Sequence, residues 1–273
     1  MHVKAIKMRW AVGGVNYCYL LSSEDKTKSW LIDPAEPLEV LPALSEEEMR
    51  SIVAVVNTHH HYDHSGGNVT LTTTLRKRHN NVKVIAGSDA SFGVSVVPQH
   101  LDVFKLGNLE VVCIRTPCHT QDSICYYVKD SETAQNCLFS GDTLFSGGCG
   151  RFFEGSAVDM DVSLNLRLLE GIGERNWPLT KVYPGHEYSK GNAEFIRKFV
   201  YKNPGDNTSF DEFEKYCNTH EVTTGHFTVL DELKYNPFMR LEDPKIREAV
   251  GDKIGKWSRD KVMEKLRFMK NTM

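Results

Sequence analysis

A dense cluster of metal-binding side chains follows directly on an apolar run, and this arrangement constrains the fold more than any other feature. The run Ile52–Val56 is typical of a buried strand, and the pattern His59-x-His61-x-Asp63-His64 follows it. Imidazole and carboxylate groups together suit zinc, iron or manganese. Packed this closely without a metal, such groups would repel one another or remain unpaired. The sequence therefore predicts a metal site at the end of a strand.

Three later residues extend the candidate site. His119, Asp142 and His186 each follow a predicted strand, within the loops TPCHT, SGDT and PGHE. Loops at strand ends are where rigid scaffolds present functional groups. On an extended chain His59 and His61 point the same way, and His60 points elsewhere.

Composition narrows the class of protein. The 273 residues are 40% hydrophobic and 25% charged, which is ordinary for a globular protein. A net charge of −3 gives no reason to expect nucleic acid or an anionic membrane as a partner. No apolar stretch is long enough to span a bilayer, and the start lacks the apolar core of a signal peptide. We therefore expect a cytoplasmic monomer.

The cysteines are predicted to be reduced and buried. There are seven of them, an odd count, and no C-x-x-C pair occurs. Cys118 precedes His119 and could approach a metal, but a packing role is favoured because free cysteines are usually buried.

Apolar runs and capping signals divide the chain into an α/β part and a helical tail. The predicted strands are Val3–Met8, Tyr17–Leu21, Trp30–Ile32, Ile52–Asn57, Val82–Ile85, Leu109–Ile114, Ile124–Val128, Cys137–Phe139 and Lys181–Tyr183. Four helices are predicted with both bounds, namely Gly67–His79, Asp161–Glu170, Asn192–Tyr201 and Ser258 to the end of the chain. Three more are predicted from their starts alone, at a Ser45–Glu48 capping box, at a Ser209–Glu212 capping box and at Asp243-Pro244. Strand patterns stop after His186, so we predict domains at 1–190 and 191–273.

Four segments carry a resemblance to a known family. They are THHHYDHSGGN (58–68), FSGDTLFSGGCGRFFEG (139–155), YPGHEY (183–188) and YNPFMR (235–240). The chain resembles the metallo-β-lactamase superfamily and, within it, the glyoxalase II (hydroxyacylglutathione hydrolase) family. The first segment is shared across the superfamily, whereas the second and fourth are more particular to glyoxalase II.

The resemblance implies a fold and a ligand set. The fold would be α/β, a four-layer αβ/βα sandwich with a C-terminal α-helical domain. One divalent metal would take His59, His61 and His119, and the other Asp63, His64 and His186. Asp142 would bridge both, together with a water or hydroxide, so that Asp63 and Asp142 are the catalytic carboxylates. Zinc is favoured for both positions, with iron and manganese as alternatives.

The resemblance also implies the reaction. A metal-bridging hydroxide would hydrolyse S-D-lactoylglutathione and related 2-hydroxyacylglutathiones to D-lactate and glutathione, the second step of methylglyoxal detoxification. Arg267 and Lys270 would hold the glycyl carboxylate, and Tyr188 and Arg151 would contact the rest of the tripeptide. From residues alone a solvated basic tail is favoured for Arg267 and Lys270, and the resemblance reverses that preference.

The chain departs from the family pattern in two places, and other functions stay open. Phe153 stands where some members have tyrosine, which removes one hydroxyl. Cys118 and Asp122 replace glycines often found around His119. The alternatives are a persulfide dioxygenase with one iron, a lactonase or β-lactamase, and a non-catalytic protein with a structural metal. The complete set of ligands and the long helical tail argue against the dioxygenase. Lactonase or β-lactamase chemistry does not explain Tyr235–Arg240 or the basic pair near the end, and a bridging carboxylate between two metals is typical of a catalytic site.

Overall fold

Two five-stranded sheets form the centre of the protein. The computed structural model describes residues 1–78 and 81–273. Its strands are β1 (His2–Met8), β2 (Asn16–Ser22), β3 (Ser29–Ile32), β4 (Ile52–Val56), β5 (Lys83–Ile85), β6 (Val103–Leu106), β7 (Leu109–Arg115), β8 (Ile124–Asp130), β9 (Asn136–Gly141), β10 (Leu144–Phe145), β11 (Gly148–Cys149) and β12 (Thr180–Pro184). Its α-helices are α1 (Pro37–Val40), α2 (Glu46–Ser51), α3 (Tyr62–Ser65), α4 (Asn68–Arg76), α5 (Ala157–Val162), α6 (Leu168–Ile172), α7 (Ser189–Phe199), α8 (Thr208–Thr219), α9 (Val229–Tyr235), α10 (Pro244–Val250) and α11 (Arg259–Asn271).

Both sheets mix parallel and antiparallel pairs. The first sheet has the order β1-β2-β3-β4-β5 and the second has the order β12-β9-β8-β7-β6. The pairs β3–β4, β4–β5 and β9–β12 are parallel, and the other neighbouring strands of the two sheets are antiparallel. Parallel neighbours end at the same edge of a sheet, and this brings distant loops together.

Side-chain alternation along the strands explains the layers. On β2, Tyr17, Tyr19 and Leu21 pack into the core between the two sheets, whereas Cys18 and Leu20 face the helices outside. The second sheet alternates likewise, with Tyr126 inward and Tyr127 outward. Helices therefore cover both outer faces, and the predicted four-layer αβ/βα sandwich is confirmed.

The C-terminal helices pack on the outer face of the second sheet. Val262, Met263 and Leu266 of α11 belong to the same buried cluster as Cys125 and Leu138 of that sheet. This shared core fixes α11 beside the loops that follow β9 and β12. The division of the chain at residue 190 stays a prediction.

Several predicted boundaries differ from the structure. The helix predicted from Asp161 begins at Ala157, because Ser156 and Asp159 form a capping box, and it runs on through a π-helical turn, Ser163–Arg167. The predicted Ser209 capping box is wrong, since the Asn207 side chain caps α8 by accepting the Phe210 N–H. The structure also contains elements that the patterns missed, namely β6, β10, β11, α1, α3 and α9.

Other boundaries agree closely. The Ser45–Glu48 capping box and the Asp243 cap are confirmed. The helix predicted over Gly67–His79 is α4, and its last predicted residue, His79, lies outside the described residues. Among the residues that are described, no helix is both long enough and apolar enough to cross a lipid bilayer.

Candidate metal centre

The predicted metal-binding residues meet where strands of both sheets end. His59 and His61 follow β4, and His119 lies in the loop between β7 and β8. Asp142 and His186 follow β9 and β12, which are parallel neighbours. An antiparallel bridge between Asn16 and His186 joins this edge to the first sheet, so loops from both sheets share one site. The fold thus gathers residues that are more than a hundred positions apart in the sequence.

Three histidines form one group of donors. His61 Nδ1 lies 3.1 Å from His59 Nε2 and 3.1 Å from His119 Nε2. Nitrogen ligands about 2.0–2.1 Å from one tetrahedral cation would stand about 3.3 Å apart. The spacing of these three nitrogens therefore suits a single metal ion.

A second group contains Asp63, His64 and His186. His64 Nε2 lies 3.2 Å from His186 Nε2 and 3.8 Å from Asp63 Oδ2, and His186 Nε2 lies 3.6 Å from Asp63 Oδ2. Asp142 stands between the two groups. Its Oδ1 is 3.5 Å from His64 Nε2, and its Oδ2 is 3.5 Å from His119 Nε2.

In three of the rings, a hydrogen bond on the far side fixes which nitrogen is free. The Thr58 hydroxyl donates to Asp33 at 2.6 Å and so accepts from His59 Nδ1 at 3.0 Å. His119 Nδ1 donates to the carbonyl oxygen of Arg151 at 2.9 Å, and His64 Nδ1 donates to Asp33 at 3.1 Å. The Nε2 atoms of His59 and His119 therefore point at His61 Nδ1, and Nε2 of His64 points at His186 Nε2, an arrangement that cations satisfy.

The electrostatics of the cluster also favour bound positive charge. Burial lowers the pKa of His59, His61 and His119, so these rings are neutral, as metal ligands must be. Burial opposes ionisation of Asp142, yet the imidazoles of His186 and His64 hold its pKa well below the usual range. Within the described residues, the buried Asp142 Oδ1 has no hydrogen-bond partner. The residues present therefore fit divalent metal ions.

Two supporting residues escaped the sequence analysis. Asp33 follows β3 in a left-handed conformation with φ of 52°, and its carboxylate accepts hydrogen bonds from Thr58 and His64. Asn16 Nδ2 donates to Asp63 Oδ2 at 2.9 Å. The position of Asp33 between a strand and a proline is only a weak sequence signal for a functional role. The sequence around Asn16 contains no such signal.

The residues that depart from the family pattern have structural partners. His60 points away from the cluster, as predicted, and its Nδ1 lies 2.9 Å from Asp122 Oδ1. Asp122 also accepts from the hydroxyls of Thr120 and Ser88. The Cys118 thiol donates to the carbonyl oxygen of Ser156, which agrees with a packing role.

A cleft of about 600 Å³ opens above the candidate metal centre. Its lining includes all four predicted substrate-binding residues, namely Arg151, Tyr188, Arg267 and Lys270. Arg267 is only 8% exposed, and its Nη1 donates to the carbonyl oxygen of Cys149 at 2.8 Å. Lys270 is half-buried, so neither residue belongs to a solvated tail.

Aromatic rings flank the centre on both sides. Tyr188 stacks on His186 with ring centroids 4.7 Å apart, and Phe145 packs edge-on against Tyr188. Phe153 is 60% exposed and packs edge-on against His61 and His119. Apolar surface therefore covers the histidine group where some family members carry a hydroxyl.

Two family models together span most of the chain. Residues 11–194 match the metallo-beta-lactamase superfamily, and residues 187–273 match the hydroxyacylglutathione hydrolase C-terminus. The chain is 60% identical to the mitochondrial hydroxyacylglutathione hydrolase of Saccharomyces cerevisiae, over all of this chain and 96% of that one. It is 56% identical to the cytoplasmic isozyme of that yeast over the full length of both.

A solved structure supports the fold. The crystal structure of ETHE1 from Myxococcus xanthus aligns with a TM-score of 0.62 at 23% identity, covering 96% of this chain and 95% of that chain. The fold and the histidine–aspartate clusters define a metallo-β-lactamase-type protein with a binuclear metal site. The chain belongs to the metallo-β-lactamase superfamily and, within it, to the hydroxyacylglutathione hydrolase family.

Substitution of Asp142 tests whether this carboxylate joins the two groups. We expect Asp142→Asn to lower metal content and to reduce kcat/KM by more than about 100-fold, because loss of a mere supporting hydrogen bond costs 10–100-fold. Metal content by elemental analysis and turnover would be measured on the same preparations. Asp89→Asn, at an exposed position, is the control. Full activity with both metals retained would refute a bridging role.

Proposed function

We propose that the protein hydrolyses S-D-lactoylglutathione, and related 2-hydroxyacylglutathiones, to D-lactate and glutathione. The observation that carries this proposal is that Asp142 and the cations Arg267 and Lys270 line the same cleft. Asp142 lies between the two groups of metal-binding side chains. The cleft therefore combines a hydrolytic centre with a site for an anionic group. The named activity of the yeast relatives supports the same reaction.

We propose that two zinc ions occupy the centre. One ion would be bound by His59, His61 and His119. The other would be bound by Asp63, His64 and His186, and Asp142 would bind both. The three-histidine group and the two-histidine, one-carboxylate group are both ligand sets that zinc accepts, although iron and manganese fit them too. When bound, two such cations acidify water toward neutral pH and stabilise the oxyanion that develops on an attacked carbonyl.

The protein's own charges complement that chemistry. Asp63 and Asp142 contribute two negative charges against the four positive charges of two divalent cations. The surplus favours an anionic oxygen at the centre. Asp33 holds His64 from behind, and the Arg151 carbonyl holds His119, so the rings do not need to reorient during the reaction.

Recognition of the tripeptide rests on the other end of the cleft. Glutathione carries two carboxylates, and Arg267 with Lys270 would hold the glycyl one. Within the described residues, the Nε atom of Arg267 is buried and has no hydrogen-bond partner. The part of Arg267 that lines the cleft would hold the carboxylate together with Lys270, while Tyr188 and Arg151 would contact the remaining part. Such anchoring places the thioester carbon over the centre.

The leaving group explains the absence of a dedicated acid in the predicted site. A glutathione thiol has a pKa near about 8.5, by analogy with free cysteine. The thiolate therefore departs without protonation. The described residues that surround Asp142 in the cleft need only orient the substrate and stabilise charge.

Assembly and location stay predictions. We expect a monomer that binds neither nucleic acid nor membrane. We also propose a cytoplasmic location, although the yeast relatives are named for both the cytoplasm and the mitochondrion.

Hydrolysis of S-D-lactoylglutathione by the purified, metal-loaded protein tests the proposal. We expect loss of thioester absorbance, abolished by a chelator and restored by added zinc. Two bound metals without turnover would reject this substrate while keeping the scaffold. Glutathione persulfide and lactones would then be assayed as the alternative substrates.

Arg267→Ala tests the anchoring of the substrate. A hydrogen bond to a charged group contributes about 1.5–3 kcal/mol, so we expect KM to rise about 10–100-fold. Metal content is expected to change far less than KM, through the lost bond to the Cys149 carbonyl oxygen. Steady-state kinetics would be compared with Lys261→Ala, an exposed cation on the same helix. An unchanged KM would remove Arg267 from the substrate site, and loss of folding would instead indicate a packing role.

Lys270 makes binding depend on pH. Burial first, and then the neighbouring Arg267, lower the pKa of Lys270 to about 8. A lysine is cationic below its pKa, so the anchoring charge is present at pH 7 and is lost as the pH rises to 9. We expect kcat/KM to fall over this interval in the native protein, and to fall less in Lys270→Arg, which stays charged. Identical profiles for the two proteins would contradict this role.

A further inference from the structure

Glu232 is a fully buried side chain that the helical tail directs toward the β10–β11 hairpin. It lies on α9 and is 0% exposed. Its Oε2 accepts hydrogen bonds from the backbone N–H of Gly147 at 2.9 Å and from Asn236 Nδ2 at 2.9 Å. Its Oε1 accepts from the Tyr235 hydroxyl at 2.6 Å. Burial raises the pKa of Glu232 to about 7, and these hydrogen bonds counteract part of the rise. A carboxyl group buried this deeply is costly unless its hydrogen bonds are satisfied.

The hairpin that Glu232 contacts connects two parts of the centre. Asp142 lies just before β10, and Arg151 lies just after β11. The carbonyl oxygen of Arg151 accepts the hydrogen bond that orients His119. The conformation of the β10–β11 hairpin therefore sets the distance between Asp142 and the Arg151 carbonyl oxygen that orients His119.

Other side chains from the tail hold the same hairpin. Asn192 donates a hydrogen bond to the carbonyl oxygen of Ser146 at 2.9 Å. Asn236 donates to that of Gly148 at 3.1 Å, and Arg267 to that of Cys149 at 2.8 Å. The turn residue Gly147 has a φ of +69°, and a Cβ there would lie 2.9 Å from the ring of Phe213. The turn therefore packs closely against the helices, and the Glu232 carboxyl group accepts the hydrogen bond from the backbone N–H of Gly147.

We propose that Glu232 is a positioning residue for the candidate metal centre. It fixes the turn of the β10–β11 hairpin, and through the hairpin it holds Asp142 and the Arg151 carbonyl at their proper separation. The helical tail then has a role in arranging the metal ligands besides binding the substrate. This inference deepens the proposed function, and only its activity readout rests on that function.

Two substitutions separate the hydrogen bonds of Glu232 from its charge. Glu232→Ala leaves the N–H of Gly147 and the hydroxyl of Tyr235 without their acceptor, and it removes one of the acceptors of the Asn236 amide. Glu232→Gln keeps an acceptor for Gly147 and Asn236, while its own amide donates to the Tyr235 oxygen. A positioning role therefore predicts damage in the alanine variant and rescue in the glutamine variant.

The test uses the full-length protein loaded with cobalt(II), whose visible absorption reports ligand geometry, and needs no substrate. We expect Glu232→Ala to change the cobalt spectrum, to lower metal content below two equivalents, and to reduce kcat about 10–100-fold with a smaller change in KM. Glu232→Gln is expected to remain near the native protein in all readouts. Glu212→Ala, at an exposed position on α8, is the control.

A native cobalt spectrum, metal content and kcat in Glu232→Ala would overturn the inference, even if its melting temperature fell. Should that variant not fold, Asn236→Ala removes one donor to Glu232 and the bond to Gly148. It must then show a spectral change of the same kind, and a native spectrum would overturn the inference. A spectral change in a protein that does not turn over lactoylglutathione would reject the substrate and keep the inference.

Discussion

The convergence of imidazole lone pairs and carboxylates on one point is the interaction on which the rest of the structure depends. Hydrogen bonds on their far sides fix His59, His64 and His119. The free nitrogens of His59 and His119 then lie about 3 Å from His61 Nδ1, and that of His64 lies about 3 Å from His186 Nε2. Without cations this arrangement is repulsive, and only a rigid scaffold can maintain it. The two sheets supply that scaffold, because the loops that carry the donors follow strands whose ends meet at one edge.

The helical tail completes the centre from the other side. Helices α7, α9 and α11 place asparagine, glutamate and arginine side chains on the backbone of the β10–β11 hairpin. The same arginine lines the cleft, so the proposed recognition of the substrate and the proposed support of the metal ligands would use shared residues. The fully buried core between α11 and the second sheet fixes this geometry. Under both proposals, substrate binding and metal binding would be coupled through this packing.

Local sequence predicted what depends on local patterns. The long apolar strands and the ligand cluster 59–64 were readable, because burial and ligand chemistry leave dense signals in adjacent residues. The strands β10 and β11 were not predicted, because a strand of two residues is too short to show an alternating pattern. Asn207 caps α8 in place of Ser209, since two residues able to cap lie two positions apart and packing decides between them. Asp33 and Glu232 act through contacts that are distant in sequence, so no local pattern identified them.

Titration of the chelator-stripped protein with zinc tests the account most directly. Hydrolysis of S-D-lactoylglutathione and bound metal would be measured at each addition. We predict that turnover rises to a plateau at two equivalents per chain, because Asp142 stands between both donor groups. A plateau at one equivalent, or two bound equivalents without turnover, would contradict the account.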